Sequence, residues 1–242
     1  MTGISIAIDG PAGTGKSTVA REVARRLRLA YFDTGATYRV ATLWCMREGV
    51  DLANQDDVTA MVETMNVRLV LDPRNPRVVL EDEDVSSLIR TDSVALTVSK
   101  VATNLEARAA LGRWQREIIA SEVAGGSSEG RGIVSEGRDI TTVIAPDADV
   151  RILMTADEEI RVARRAGEGA DLATVREAVL GRDRKDATVV SFHTAADGVH
   201  TLDTSDLTIE EAVQAVLDLV TEVRGDDAGE GGASSLEEPG IE

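Results

Sequence analysis

The segment Gly10-Pro11-Ala12-Gly13-Thr14-Gly15-Lys16-Ser17 matches the pattern Gly-x-x-x-x-Gly-Lys-[Ser/Thr] and lies between an apolar run and an amphipathic one. Ile4-Ser5-Ile6-Ala7-Ile8 reads as a buried strand, and Val19, Val23 and Leu27 mark one face of the helix that follows. Glycines let successive backbone N–H groups turn toward one point, a nest for phosphate oxygens. The helix starting near Gly15 adds its unpaired N–H groups and the positive end of its dipole. Lys16, one of three lysines in the chain, is placed to reach the outer phosphates, and the Ser17 hydroxyl is placed to ligate Mg²⁺. The candidate triphosphate contacts are therefore Gly10, Pro11, Ala12, Gly13, Thr14, Gly15, Lys16, Ser17 and Thr18. A nucleoside triphosphate site is the implied function class.

At 242 residues the chain can bury one sizeable core and carry a smaller insert. The net charge of −17 opposes nonspecific binding to nucleic acid or anionic membrane. Part of that charge is local, since residues 225–242 hold six acids and no base, in a Gly/Ser/Glu-rich stretch expected to be disordered. Cys45 is the single cysteine, which excludes an intrachain disulfide and a multi-cysteine metal site. No apolar run approaches membrane-spanning length and no signal peptide is visible, so a cytoplasmic location is expected.

Four further core strands are expected: Ala30-Tyr31-Phe32, Gly132 to Ser135, Val150 to Met154 and Val199 to Asp203. Helical segments separate them, which predicts an α/β fold with a five-stranded parallel sheet covered on both faces. Between the second and third core strands, Ala30-Tyr31-Phe32 and Gly132 to Ser135, Val67 to Leu71 and Arg77 to Leu80 read as a hairpin. A helical region from Asp92 to Ser121, with a break near Thr103-Asn104, completes a small inserted subdomain. The closing amphipathic helix is expected over Glu210 to Val223.

A phosphate loop alone leaves ATPases, GTPases, kinases and regulatory proteins open. The chain has no Asn-Lys-x-Asp guanine-reading tetrad, and its strands do not end in the Asp-Glu or Asp-Asp of motor and transporter ATPases. Instead Arg39 follows the second strand and Arg138 the third, at the carboxyl ends where open parallel sheets bind ligands. Arginine suits bidentate capture of phosphate, so a second anion is expected opposite the triphosphate. A phosphate monoester acceptor needs no strong general base, and Lys16, Arg39 and Arg138 are the candidate catalytic residues, acting by positioning and charge neutralisation. The two histidines, His193 and His200, lie late in the chain, away from these motifs.

The runs Ile8 to Ser17, Asp33-Thr34-Gly35-Ala36-Thr37-Tyr38-Arg39, Glu83-Asp84-Val85-Ser86, Glu136-Gly137-Arg138-Asp139 and Leu202-Asp203-Thr204-Ser205 occur in the order found in bacterial cytidylate kinases, and the chain resembles that family over roughly residues 3–223. The resemblance implies an adenylate-kinase-like member of the P-loop nucleoside monophosphate kinase superfamily, transferring the γ-phosphoryl of ATP to CMP or dCMP with Mg²⁺. It implies a kinase domain over residues 1–224, with an acceptor-binding insert at about 54–123 and a lid at about 157–190. Thr34, Tyr38 and Arg39 would hold the acceptor, Ser99 and Arg108 would read cytosine, Arg138 would meet phosphate and Asp139 would accept from the cytosine amino group. Arg182 and Asp186 are assigned toward the ribose. Asp33 either holds a Mg²⁺-bound water or caps the next helix. The family's final lid arginine is absent at Val189, and Phe192 stands where proline is expected; this implies either reduced activity or replacement of the missing charge by Arg176 or Arg184. The expected partners are free nucleotides, with no nucleic acid and no membrane, and the expected state is a monomer. Two other readings stay open: a P-loop kinase for another small acceptor, such as UMP or a metabolite hydroxyl, and a nucleotide-binding protein without turnover.

Overall fold

A computed structural model describes residues 3–166, 171–190, 192 and 194–229; the side chains of Arg182 and of residues 226–229 are outside that description. β1 (Ile4–Asp9) is followed by α1 (Lys16–Leu27), β2 (Ala30–Asp33) and α2 (Gly35–Arg47). The insert comprises α3 (Gln55–Thr64), β3 (Val67–Val70), β4 (Arg77–Leu80), β5 (Glu83–Asp84), a 3₁₀ turn at Leu88–Arg90, α4 (Asp92–Ala102) and α5 (Leu105–Ala124). The chain then returns through β6 (Gly132–Gly137), a wide turn at Ile140–Ile144, β7 (Val150–Thr155), α6 (Glu158–Arg165), α7 (Leu172–Asp186), β8 (His200–Asp203) and α8 (Ile209–Gly229).

The parallel sheet has the order β2-β6-β1-β7-β8. Side-chain alternation along β1 explains its two covered faces. Ile4, Ile6 and Ile8 point toward α1 and α8, packing with Val19, Val23, Val213 and Val216. Ala7 points the other way, into a cluster with Phe32, Ile119, Ile133 and Ile140. Chain direction across the sheet reverses at β1, with β2 on one side and β7 on the other, so the crevice outside the carboxyl ends of β1 and β6 is the place for a ligand. Register sets what meets there: Asp9 lies opposite Gly137, and Asp33 opposite Glu136.

The insert packs on α2. Tyr38, Ala41 and Cys45 bury one side of that helix against α3, α4 and α5, while Ala36 and Val40 cluster with Leu80 of β4, Val85 just past β5 and Ile89 of the 3₁₀ turn. The break between α4 and α5 is made by Asn104, whose side chain accepts from Glu106 N and Ala107 N, each at 3.1 Å.

The expected hairpin is in fact a three-stranded antiparallel sheet, with β5 added through the turn Glu81-Asp82. Both turn residues have positive φ, 47° and 68°, a two-residue reversal normally signalled by Asn-Gly or Gly; without glycine the sequence carried no such signal. The acidic tail expected from residue 225 also needs correction. α8 continues to Gly229, because nothing between Val223 and Gly229 stops a helix except Gly225, at a cost of about 1 kcal/mol relative to alanine. Residues 230–242 lie outside the described residues. Among the described residues no helix is long and apolar enough to cross a membrane.

Candidate active site

The phosphate loop is shaped from outside as much as from within. Gly10 (φ 150°) presses on the Met154 carbonyl, which would stand 2.2 Å from any Cβ there. Gly13 (φ 87°) presses likewise on the Arg161 backbone, 2.6 Å from an added Cβ. Ala12 O accepts from Arg161 at 2.9 Å, and Thr14 O accepts from Thr204 at 2.9 Å. α1 then starts directly at Lys16, with Gly15 as its N-cap and no side-chain cap, so its first amide groups face the loop.

Lys16 Nζ stands 3.4 Å from Pro11 O and 3.9 Å from Glu136 Oε2. Ser17 donates to Glu136 Oε1 at 2.7 Å, and the Tyr31 hydroxyl donates to the same oxygen at 3.2 Å. Burial pushes the Glu136 carboxyl up, and adjacent Asp33 adds to this against the pull of Lys16. Asp33 goes the other way. Burial opposes its ionisation, but the charges of Arg39 and Arg90 outweigh burial and hold its carboxyl below the usual range. Asp33 accepts from Ala36 N in the first turn of α2 at 3.1 Å, and from Arg39 and Arg90 at 2.5 and 3.2 Å. It is thus both the helix cap and the anchor of two arginines.

The pocket opening from this loop is lined by Thr34, Tyr38, Arg39, Arg108, Arg138, Asp139 and Asp186, together with Lys16 and Ser17. Thr34 is fixed by its hydroxyl bond to Glu136 O at 2.9 Å. Arg39 keeps its buried Nε without a partner among the described residues, a donor that an entering anion would satisfy. Also on the pocket wall, Arg108 pairs with Asp139, donates to Ala102 O at 2.9 Å and lies over the Tyr38 ring. Burial pushes the Asp139 carboxyl up despite that pairing. Arg138 is held on three sides: by Asp183 at 2.7 Å, by Asp186 at 3.0 Å and by the Phe192 ring, 4.7 Å from its guanidinium carbon. The residue found in place of the expected proline therefore braces an arginine.

Several expectations change. Val98 and Ala102 are the α4 residues on the pocket wall, while Ser99 is half-buried and not part of that wall. Asp186, assigned toward a ribose, engages Arg138. The Arg182 side chain lies outside the described residues. Neither Arg176 nor Arg184 enters the pocket, because Glu158 and Glu159 hold the first at the surface and Glu177 holds the second. Arg165, at the end of α6, lines the pocket instead, and so does Arg90. His200 is exposed on the edge strand β8, and His193 lies outside the described residues. Sequence reasoning gave no role to Asp183 or Arg161. A signal was present in the i, i+3 spacing of Asp183 and Asp186, which puts two carboxylates on one helix face.

A divalent ion fits the donors present. Among the described residues there is no cluster of three or more His, Cys, Asp or Glu able to hold a metal. Mg²⁺ needs none, since it uses one or two carboxylates with waters and substrate phosphates. Ser17 and Glu136 supply hard oxygen atoms beside the loop where such phosphates would lie.

A family model described as cytidylate kinase matches residues 6–222. The chain belongs to the cytidylate kinase family. It is 40% identical to the cytidylate kinase of Streptomyces avermitilis, over 91% of this chain and 94% of that one. It is 42% identical to that of Cutibacterium acnes, over 89% and 95%, and to that of Nocardia farcinica, over 91% and 95%. In this member of the cytidylate kinase family, the family match thus spans the phosphate loop, the insert and α6 to α8 in one continuous stretch.

Proposed function

We propose that the chain transfers the γ-phosphoryl of ATP to the phosphate of CMP or dCMP, giving ADP and CDP or dCDP. The observation that carries this is the Arg108–Asp139 pair, set in a pocket that opens onto the phosphate loop. Cytosine offers an amino donor beside acceptor atoms, and a carboxylate next to a guanidinium presents the complementary order. Uracil has a carbonyl where cytosine has the amine, so it would face Asp139 acceptor to acceptor.

An acceptor phosphate oxygen would attack the γ-phosphorus as the bond to the β-phosphate oxygen breaks. Already ionised at neutral pH, that oxygen needs no base, which agrees with a pocket that no histidine lines among the described residues. Arg39 and Arg138 would grip the acceptor phosphate; the loop amides and Lys16 would hold the donor phosphates and take up charge as the bonds exchange. Ser17 and Glu136 would hold Mg²⁺, which neutralises phosphate charge when bound.

A panel of CMP, dCMP, UMP, AMP and shikimate with ATP, read by ADP release and product analysis, tests this. CDP and dCDP are expected as the main products. Phosphorylation of UMP or shikimate but not CMP would reassign the acceptor, and CMP binding without any CDP would make the chain a binding protein.

A further inference from the structure

Asp183 sits in the lower half of α7, is 3% exposed and touches three separate elements through one carboxylate. Its Oδ1 accepts from the Ala12 amide of the phosphate loop at 3.2 Å and from Arg138 Nη1 at 2.7 Å. Its Oδ2 accepts from Arg161 Nη1 at 2.5 Å. Arg161 in turn donates to Ala12 O at 2.9 Å, so Ala12 is held at both its N–H and its carbonyl. We propose that Asp183 is a positioning residue that ties Arg138, on the acceptor side, to the phosphate loop on the donor side and thereby sets the approach of the two phosphates.

The chemistry favours this over simple support. Burial opposes ionisation of Asp183, yet Arg138 and Arg161 keep it charged, and the buried Arg161 and the part-buried Arg138, which Asp186 also holds, both bond to that one carboxylate. The bonds run to a loop that cradles one substrate and to an arginine that faces the other. Gly13, next in the loop, packs so closely on Arg161 that it has no space for a side chain there, so the loop has no room to move toward α6. Phosphoryl transfer depends on alignment, and a displacement of about 1 Å costs on the order of a hundredfold in rate.

The inference rests on the kinase reading, so wild-type CDP formation is measured in the same assay; absence of wild-type turnover would defeat that reading rather than this one. Asp183→Asn keeps the shape but removes the charge. Its kcat is expected to fall about 10- to 100-fold, with KM for ATP and for CMP each within about threefold of wild type. Because Asp183 acts through Arg138, the double variant Asp183→Asn/Arg138→Lys is expected to be within about threefold of the worse single variant. Asp183→Glu keeps the charge that both arginines need and moves it by one methylene, so it guards against a folding failure. For it a kcat loss of about fivefold or more is expected at an unchanged unfolding midpoint. An undiminished kcat in Asp183→Glu, a loss confined to KM, or losses that multiply in the double variant would each overturn the proposal.

Discussion

Arg108 and Asp139 pair with each other on the wall of the pocket that Lys16 also lines, and the Arg108 guanidinium lies 5.4 Å from the Tyr38 ring centroid. The pair joins α5 to the segment after β6, so the base-reading groups are held by two elements that are distant in the chain. The ion pair fixes the orientation of both groups in a buried site.

Removing the carboxylate isolates this role. Asp139→Ala is expected to lower the ratio of kcat/KM for CMP to that for UMP by about 5- to 150-fold, as one lost base contact implies. ATP binding should change less. Steady-state kinetics with both acceptors checks it, and an equal loss for CMP and UMP would take Asp139 out of base reading.

Lys16 is the donor-side charge. It stands 3.4 Å from Pro11 O and 3.9 Å from Glu136. Lys16→Ala is expected to retain a cooperative unfolding transition while kcat drops by about 10²–10³-fold or more. Calorimetry beside the CDP assay reads both quantities.

Glu136→Gln keeps an acceptor for Ser17 and removes the buried negative charge. The Mg²⁺ concentration for half-maximal rate is expected to rise about 10- to 100-fold, in line with losses on changing groups that hold or orient a metal. A Mg²⁺ titration of the variant gives the answer directly; an unaltered midpoint would exclude Glu136 from the ion's surroundings.

Asp9 supplies a pH dependence. Burial raises its carboxyl from 3.8 to about 6, against hydrogen bonds from Thr141 and Ile140. The folded chain therefore holds this proton more tightly than the unfolded chain, and stability falls as pH rises between the two values. The contribution is complete below pH 3.8 and lost as pH passes through about 6. Relative to Asp9→Asn, which cannot ionise, the wild type is expected to lose about 1–3 kcal/mol on going from acid to neutral pH. Urea unfolding across that range measures the difference; parallel curves would mean that folding leaves the Asp9 pKa unchanged.

The local parts of the site were legible because they are written in neighbouring residues. Gly10 to Ser17 carries its own strand, turn and helix signals, and Asn104 announces the start of α5. The reversal at Glu81-Asp82 was not legible, since two acidic residues adopt a conformation usually left to glycine. Nor were Arg176 and Arg184 distinguishable from Arg165, because an arginine's sequence position does not say which carboxylate will hold it at the surface.

By itself the sequence determined that a triphosphate cradle opens this chain, that parallel strands follow, and that arginines lie at their carboxyl ends. Those are consequences of backbone freedom, dipole direction and side-chain periodicity, each acting over a few residues. Only the tertiary structure decided which charge answers which. Ala12 and Asp183 meet across 171 positions, Ser17 and Glu136 across 119, and Arg138 and Asp183 across 45. Such pairings depend on strand order and helix docking, because a buried charge takes the partner that the fold brings within reach.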